Sequence, residues 1–382
     1  MSGAEERPRQ PELAIFIPSF GAGGVDRMLV NIAGGIAARG IPVDFIVSGR
    51  DGPYLAGLDD RVNCLELAAQ EDDELTDALY RYVQAQRPRV VMTGKGRDDL
   101  IALRVRERLG GAGTRFVLRV GTAVSGRAAV KMALPWQRRR YRRRLHAMYA
   151  SCDGVLANSR AVADEIAEAA GIPRERVSIV PNPTVTPELI RRAAEPPEHP
   201  WLQVEDGPPV ILGIGGLRTQ KDFSTLVRAF ARLRRDRPAR LLILGEGRQR
   251  RRLERLARRL GVAADVALPG FSANPYAALA HAALFVLSSR WEGLPNVLIE
   301  ALAVGTPAVA TDAPGGAAEI LDGGRYGPLV PPGEPAALAE AMVRSLDRPP
   351  SAAVLREAAR RYTLEVATDA YISALGLVPA RS

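Results

Sequence analysis

The chain has 382 residues, more than one ordinary core holds and enough for two α/β domains of about 150–200 residues each. It is 47% hydrophobic and 25% charged, which is globular composition and excludes global disorder. The net charge of +9 is concentrated: from Arg108 to Cys152 there is no Asp or Glu among many arginines, so a local anionic partner is expected.

The longest apolar stretch, Val297 to Ala310, is broken by Glu300, Gly305 and Pro307, so no membrane span is expected. The start carries acids in its charged part and does not read as a signal peptide. Cys64 and Cys152 supply neither a disulfide framework nor a metal cage, and the cytoplasm is the expected compartment.

In chain order the pattern is strand, glycine turn, helix. The apolar run Leu13–Ile17 precedes the turn Ser19 to Gly24, and Met28, Leu29, Ile32, Ala33, Ile36 and Ala37 then follow helical spacing. Strands are expected at Val43–Val47, Val90–Thr93, Phe116–Val120, Gly154–Ala157 and Val177–Val180, with helices over Asp98–Leu109 and Ala161–Ala170. Residues 183–209 are proline-rich and aperiodic, so the domain boundary is expected near 195–207. A second run follows with strands at Val210–Ile214, Leu241–Leu244, Val266–Leu268, Ala283–Leu287 and Pro307–Thr311. A helical tail, Ala352–Leu375, ends the series. Such alternation argues for parallel sheets covered by helices on both faces. The division read from it is 1–195, 196–355 and a terminal helical segment 356–382.

The segment after Ala283–Leu287 carries the clearest chemistry. Ser288-Ser289-Arg290-Trp291-Glu292-Gly293-Leu294-Pro295 leads into a helix that Pro295 opens and Gly305 ends. Backbone N–H groups near Asn296 and Val297 then form an anion site at a strand's carboxyl end. Glu300 sits one and a half turns in, among apolar residues, where a carboxylate needs hydrogen bonds. Taken alone, it also fits a pairing with an arginine on a neighbouring helix.

Glu292 and Glu300, set in S-x-x-E-G-L-P-N-V-L-I-E-A-L-A, resemble the donor-binding signature of retaining glycosyltransferases of family 4. Gly215 to Phe223 resembles the entry loop of that family's second domain. Leu244 to Gly247, Leu268 to Phe271, Gly315 to Leu321 and Tyr326 to Gly333 match in kind and order. In the first half Gly23 to Arg27, Asn158-Ser159 and Pro181 to Pro183 are similar to family turns.

The resemblance implies a GT-B fold: two facing Rossmann-like α/β domains with parallel sheets, and a C-terminal helix crossing back to the first. It implies a hexosyl transfer from a nucleotide-diphosphate sugar, a UDP-sugar favoured, to a lipid-linked or cell-envelope saccharide. Retention of configuration and no metal or other cofactor are implied as well; the sequence has no Asp-x-Asp pair near a strand end. Glu300 would bind the ribose, Glu292 would face the transferred sugar, and the backbone of Gly293, Leu294, Pro295, Asn296 and Val297 would hold sugar and diphosphate. Lys221 would neutralise the departing diphosphate. Gly215, Gly216, Leu217 and Glu246 complete the expected donor loops, Gly270 and Phe271 border the base, and Gly24 approaches from the first domain. The chain departs from the family at Gly216, where an arginine is usual; Arg218 is the nearby replacement. It also departs near Arg119 and Thr122, which occupy the place of a family histidine on the acceptor side. His146, His199 and His281 stand in no motif.

Gly21 to Gly24 fails the dinucleotide fingerprint, because the third glycine falls at Asp26. From Trp136 to Tyr149, Tyr141, Leu145 and Met148 recur at helical spacing among arginines. This reads either as a solvated basic face or as an anionic-membrane contact through Arg138, Arg139, Arg142 and Arg143, with those apolar residues as its edge. No nucleic-acid module is recognisable. The segment Arg248–Leu260 reads as an ordinary amphipathic helix. Rival functions are a nucleotide-sugar epimerase of the same architecture and a catalytically idle binding or membrane-associated scaffold.

Overall fold

The computed structural model describes residues 10–21, 23–49, 54–110, 113–122 and 134–379. The acid-bearing beginning of the chain, Ala22 of the glycine turn, and Arg127 and Lys131 of the basic run lie outside them. The chain divides into two compact units, Met1–Pro183 with Leu364–Ser382, and Thr184–Thr363.

The first unit is built on seven parallel strands: β1 (Leu13–Phe16), β2 (Val43–Val47), β3 (Asn63–Glu66), β4 (Val90–Thr93), β5 (Arg115–Val120), β6 (Gly154–Ala157) and β7 (Val177–Ile179). Their spatial order is β3-β2-β1-β4-β5-β6-β7. Side chains alternate across a strand, so β1 feeds two cores. Leu13 and Ile15 join one apolar cluster, and Ala14 and Phe16 join the other. With both faces covered, the strands read as unbroken apolar runs. The two edge strands are exceptions: β7 has Ser178 and Ile179 exposed, and β3, of sequence Asn-Cys-Leu-Glu, is only half-buried. Periodicity gives no signal in β3, and this strand and the following helix Asp72–Gln86 were not expected.

The second unit has six parallel strands: β8 (Val210–Ile214), β9 (Arg240–Leu244), β10 (Val266–Gly270), β11 (Leu284–Leu287), β12 (Ala308–Thr311) and β13 (Leu329–Val330). Their order is β10-β9-β8-β11-β12-β13. Leu242 and Leu244 face one core, Leu241 and Ile243 the other. In each sheet the chain starts in the middle, winds outward one way, and then restarts on the other side. The reversal falls between β1 and β4 in the first unit and between β8 and β11 in the second. A crevice for ligands opens at such a point, beyond the carboxyl ends of the strands.

The domain limits differ from the expectation at both crossings. The proline-rich segment is not a linker: Thr186 caps a helix, Pro187–Ala193, by accepting from the Leu189 N–H at 3.1 Å. Leu189, Ala193 and Leu202 are buried in the second unit's core, which moves the boundary back to Pro183. The helix Ala352–Ala359 also stays with this unit, because Leu355, Ala358 and Ala359 enter the same core. There the incoming and outgoing chain lie side by side, Thr184 and Val185 both donating to the Tyr362 carbonyl at 3.0 Å. The return to the first unit therefore begins at Leu364. The helix Leu364–Leu375 packs on the helix Gly24–Ala37, with Tyr371 and Leu375 fully buried beside Leu29, Ile32 and Ile36. A side chain at Gly35 would start 2.2 Å from Thr368 Oγ1, so only glycine allows this approach.

Candidate functional site

In the second unit the reversal point between β8 and β11 is occupied by an ion pair. Lys221 Nζ lies 2.6 Å from Glu292 Oε1, and both side chains are largely buried. Two strand ends supply them. After β8 the chain turns at Gly215, whose φ of +148° and bare Cα let the Lys221 side chain fold across the loop. After β11, Ser289 Oγ donates to Glu292 Oε1 at 2.6 Å, which fixes the carboxylate from below.

The two loops are laced together. Ser288 Oγ donates to the Lys221 carbonyl at 2.7 Å, the Arg290 N–H to the Gln220 carbonyl at 2.7 Å, and Gln220 Nε2 to the Trp291 carbonyl at 3.0 Å. Asp222, held in the left-handed region, accepts from Thr225 Oγ1 and Arg290 Nε, each at 2.9 Å. The Gly316 N–H donates to the Gly293 carbonyl at 2.6 Å, tying in the loop after β12. Gln220, Asp222, Ser289 and Arg290 were not singled out from the sequence. Their role depends on two loops meeting, which spacing does not reveal.

Behind this pair the helix Asn296–Val304 begins at Pro295 with no side-chain cap on its first N–H groups. That end is the expected anion site. Glu300 lies in its body and is 3% exposed. Arg218 is exposed and makes no ion pair among the described residues. A side chain on Gly216 would begin 3.3 Å from Arg218 Nε, so Arg218 fills the space beside the glycine. On the far side of β8, Glu246 pairs with Arg250, whose Nη1 also donates to the Leu268 carbonyl at 2.7 Å. Gly270 lies against Glu246, and Phe271 stands 82% exposed next to it. The side chains of Leu217 and Leu294 are buried in the two cores, so these residues offer the site only backbone.

The first unit has a comparable cluster at its own reversal point. Lys95 Nζ lies 2.6 Å from Asp26 Oδ1, whose other oxygen accepts the Gly23 N–H at 3.1 Å beside exposed Gly24. Ser19 Oγ donates to Asp98 Oδ1 at 3.1 Å. Burial pushes the Asp98 carboxyl up to about 6, against the pull of the Ser19 hydroxyl and Lys95. It pushes Asp99 up to about 7, although Thr93 Oγ1 donates to Asp99 at 2.5 Å. Of these side chains only Asp26 stood in a motif read from the sequence, Gly23 to Arg27. Strand β4 followed by Gly94-Lys95-Gly96 and two aspartates was the readable signal.

Arg119, expected on the acceptor side, is enclosed and only 2% exposed. Its Nε donates to Tyr371 Oη at 2.7 Å and its Nη2 to Asn182 Oδ1 at 2.5 Å, so the returning helix clamps it. Thr122 is half-buried nearby. The basic helix Pro135–Ser151 also needs correction. Tyr141, Leu145 and Met148 turn inward onto the core, not outward to form an apolar edge. The exposed apolar groups are instead Leu134 and Trp136 at its start, with Arg138, Arg139, Arg142 and Arg143 exposed along it. His146 and His281 bond to backbone carbonyls and His199 accepts the Trp201 N–H. Among the described residues no group of three His, Cys, Asp or Glu side chains is placed to hold a metal ion.

Comparison with known proteins matches both halves. Residues 22–186 match the model for Glycosyltransferase Family 4, and residues 196–362 that for Glycosyl transferases group 1. Over 183 residues the chain is 33% identical to the Campylobacter jejuni N-acetylgalactosamine-N,N'-diacetylbacillosaminyl-diphospho-undecaprenol 4-alpha-N-acetylgalactosaminyltransferase, covering 48% of each chain. Over 240 residues it is 30% identical to the lipopolysaccharide core biosynthesis glycosyltransferase LpsE of Rhizobium meliloti, covering 60% of this chain and 66% of the relative. The chain thus spans about half of one curated relative and just under two thirds of the other. The solved structure of Anabaena Alr3699/HepE in complex with UDP-glucose has the same fold, with a TM-score of 0.76 at 19% identity over 95% of this chain and 99% of that one. Two glycosyltransferase models match the two halves in order, each over less than half of the chain, and a solved structure matches nearly its whole length, so the chain has the GT-B fold of two Rossmann-like domains.

Proposed function

We propose that the chain moves a hexosyl group from a nucleoside diphosphate sugar, a UDP-sugar in the first instance, to a glycan or lipid-linked acceptor, with retention as in family 4. The observation that carries the reading is the Lys221–Glu292 pair at the β8–β11 reversal point, in front of an uncapped helix N-terminus. The relatives named for polysaccharide and diphospho-undecaprenol chemistry, and the solved relative with UDP-glucose, support it.

In this reading the bond between the sugar's anomeric carbon and the β-phosphate oxygen breaks, the new bond forms to an acceptor hydroxyl oxygen, and the hydroxyl proton passes to the departing diphosphate. Negative charge gathers on the departing diphosphate. Lys221, Arg218 and the N–H groups at Asn296 and Val297 meet it in a fixed arrangement, so little reorganisation is needed as charge develops. Glu292 faces the sugar hydroxyls, Glu300 the ribose, and Phe271 the base. A metal ion is not required, so full turnover in excess EDTA is expected.

The test is a panel of nucleotide sugars scored by thermal stabilisation, followed by acceptor-dependent release of nucleoside diphosphate. A donor at one hundred times its dissociation constant adds about 2.7 kcal/mol to stability. Stabilisation without any release would favour the idle scaffold. No stabilisation by any donor would sink the transferase reading. The exposed arginines of the helix Pro135–Ser151, with Leu134 and Trp136, further support peripheral attachment to an anionic membrane face on the cytoplasmic side.

A further inference from the structure

A cavity of about 770 Å³ opens in the first unit at the carboxyl ends of β4 and β5. Its walls are residues 94–97, residues 119–122 and the inner side of the helix Pro135–Ser151. Nothing in the donor chemistry above uses it. Three features from separate elements give it a positive lining.

Arg119 lines it while being 2% exposed, and its two hydrogen-bond partners, Tyr371 and Asn182, are both neutral. Its buried Nη1 has no hydrogen-bond partner among the described residues. A buried guanidinium with an empty donor and no counter-charge is costly unless a ligand supplies both. The helix Gly96–Leu109 turns its first residues to the same space, with no side-chain cap on its N–H groups. Arg144, on the opposite wall, is exposed and has no ion pair among the described residues.

The acids in and beside the lining are Asp72, Asp99 and, in the helix's first turn, Asp98, which accepts from Ser19 Oγ at 3.1 Å. Asp72 is held by Arg97 at 2.7 Å. Asp99 accepts the Thr93 hydroxyl in the interior, and burial favours its protonated form. The volume lies in the range of small-molecule sites and is far larger than a lone phosphate requires.

We propose that the cavity binds a phosphate ester on the acceptor, held by Arg119, Arg144 and the N–H groups at the start of the helix Gly96–Leu109. This rests on the transferase reading and narrows its acceptor to one bearing phosphate or diphosphate next to the sugar or lipid that fills the remaining space.

The experiment is calorimetric titration of the full chain with a hexose 1-phosphate, the free hexose and inorganic phosphate, repeated on Arg144→Gln, Arg119→Gln and Lys221→Ala. The hexose phosphate is expected to bind at least tenfold tighter than either other probe. Each arginine variant should weaken it at least tenfold, and Lys221→Ala should leave it unchanged. Arg144 is exposed, so its variant keeps the test alive if loss of buried Arg119 unfolds the unit. Unchanged affinity in a folded Arg144→Gln, or loss only in Lys221→Ala, would overturn the proposal. Inorganic phosphate binding as tightly as the ester would overturn the acceptor assignment. Donor turnover is scored separately. Arginine-dependent probe binding without turnover of any donor defeats the transferase reading, whereas turnover with arginine-independent binding defeats the cavity assignment alone.

Discussion

Lys221 and Arg218 sit three residues apart yet stand in different electrostatic situations. The Lys221 charge is already balanced by Glu292 at 2.6 Å, whereas Arg218 has no carboxylate partner among the described residues. In the proposed reading an incoming diphosphate would meet Arg218 as surplus charge and Lys221 as a pair it must share. Lys221→Ala leaves Glu292 with only hydroxyl and amide partners beside an anionic ligand, and kcat should fall by roughly 10²–10³. Arg218→Ala should cost about 10–150-fold, the value of a charged hydrogen bond. A wild-type kcat in the Arg218 variant would show that one cation suffices. Asp99 gives a prediction about pH. Its carboxyl is ordinarily near 3.8 and is pushed up to about 7 in the fold, so the folded chain binds a proton that the unfolded chain has released. Its contribution is fully present below about pH 4 and is lost as pH rises through 7. Asp99→Asn keeps an acceptor for Thr93 and should flatten the melting temperature between pH 4 and 7. An unchanged pH slope would remove Asp99 from the account.

At the scale of elements, the contact between the helices Gly24–Ala37 and Leu364–Leu375 holds the end of the chain on the first unit. It depends on one missing side chain. Gly35→Ala places a methyl group 2.2 Å from Thr368 Oγ1 and should destabilise the unit by about 1–3 kcal/mol in denaturant titration. Adding Thr368→Ala should restore most of that loss; no recovery would mean the cost lies elsewhere. The buried strands of both sheets were legible because an apolar run with two covered faces needs no partner information. The edge strand β3 was not, because two of its four side chains are exposed and polar. The proline-rich segment misled for a related reason. Its prolines open the helix Pro187–Ala193 and the turn Pro200–Leu202, and only the burial of Leu189 and Leu202 shows which core they serve.

For the whole molecule, the uneven charge predicts where it goes. The helix Pro135–Ser151 turns Tyr141, Leu145 and Met148 into the core and leaves its arginines outside. Attraction to anionic lipid adds about 1 kcal/mol per arginine near the surface and is screened within about 8 Å at physiological salt. The chain should co-sediment with vesicles containing anionic lipid, ignore neutral ones, and be released by salt. Replacing Arg138, Arg139, Arg142 and Arg143 by Gln should abolish that binding while turnover of a soluble acceptor stays near wild type. Trp136→Ala should weaken it further only if the exposed start of the helix enters the interface. Equal binding to neutral vesicles would return the helix to a solvated face.

The sequence by itself determined the alternating α/β architecture in two domains, from local signals: apolar strands, glycine turns and a proline-opened helix. The donor motif was legible only as a family resemblance, and its role belongs to the proposed function. Only the tertiary structure decided which charges meet. Lys221 and Glu292 are brought together because β8 and β11 are neighbours in space and not in sequence. Arg119 is enclosed because Tyr371, from a helix that returns after the whole second unit, closes over it. Burial and pairing depend on contacts between distant segments, which no local pattern encodes.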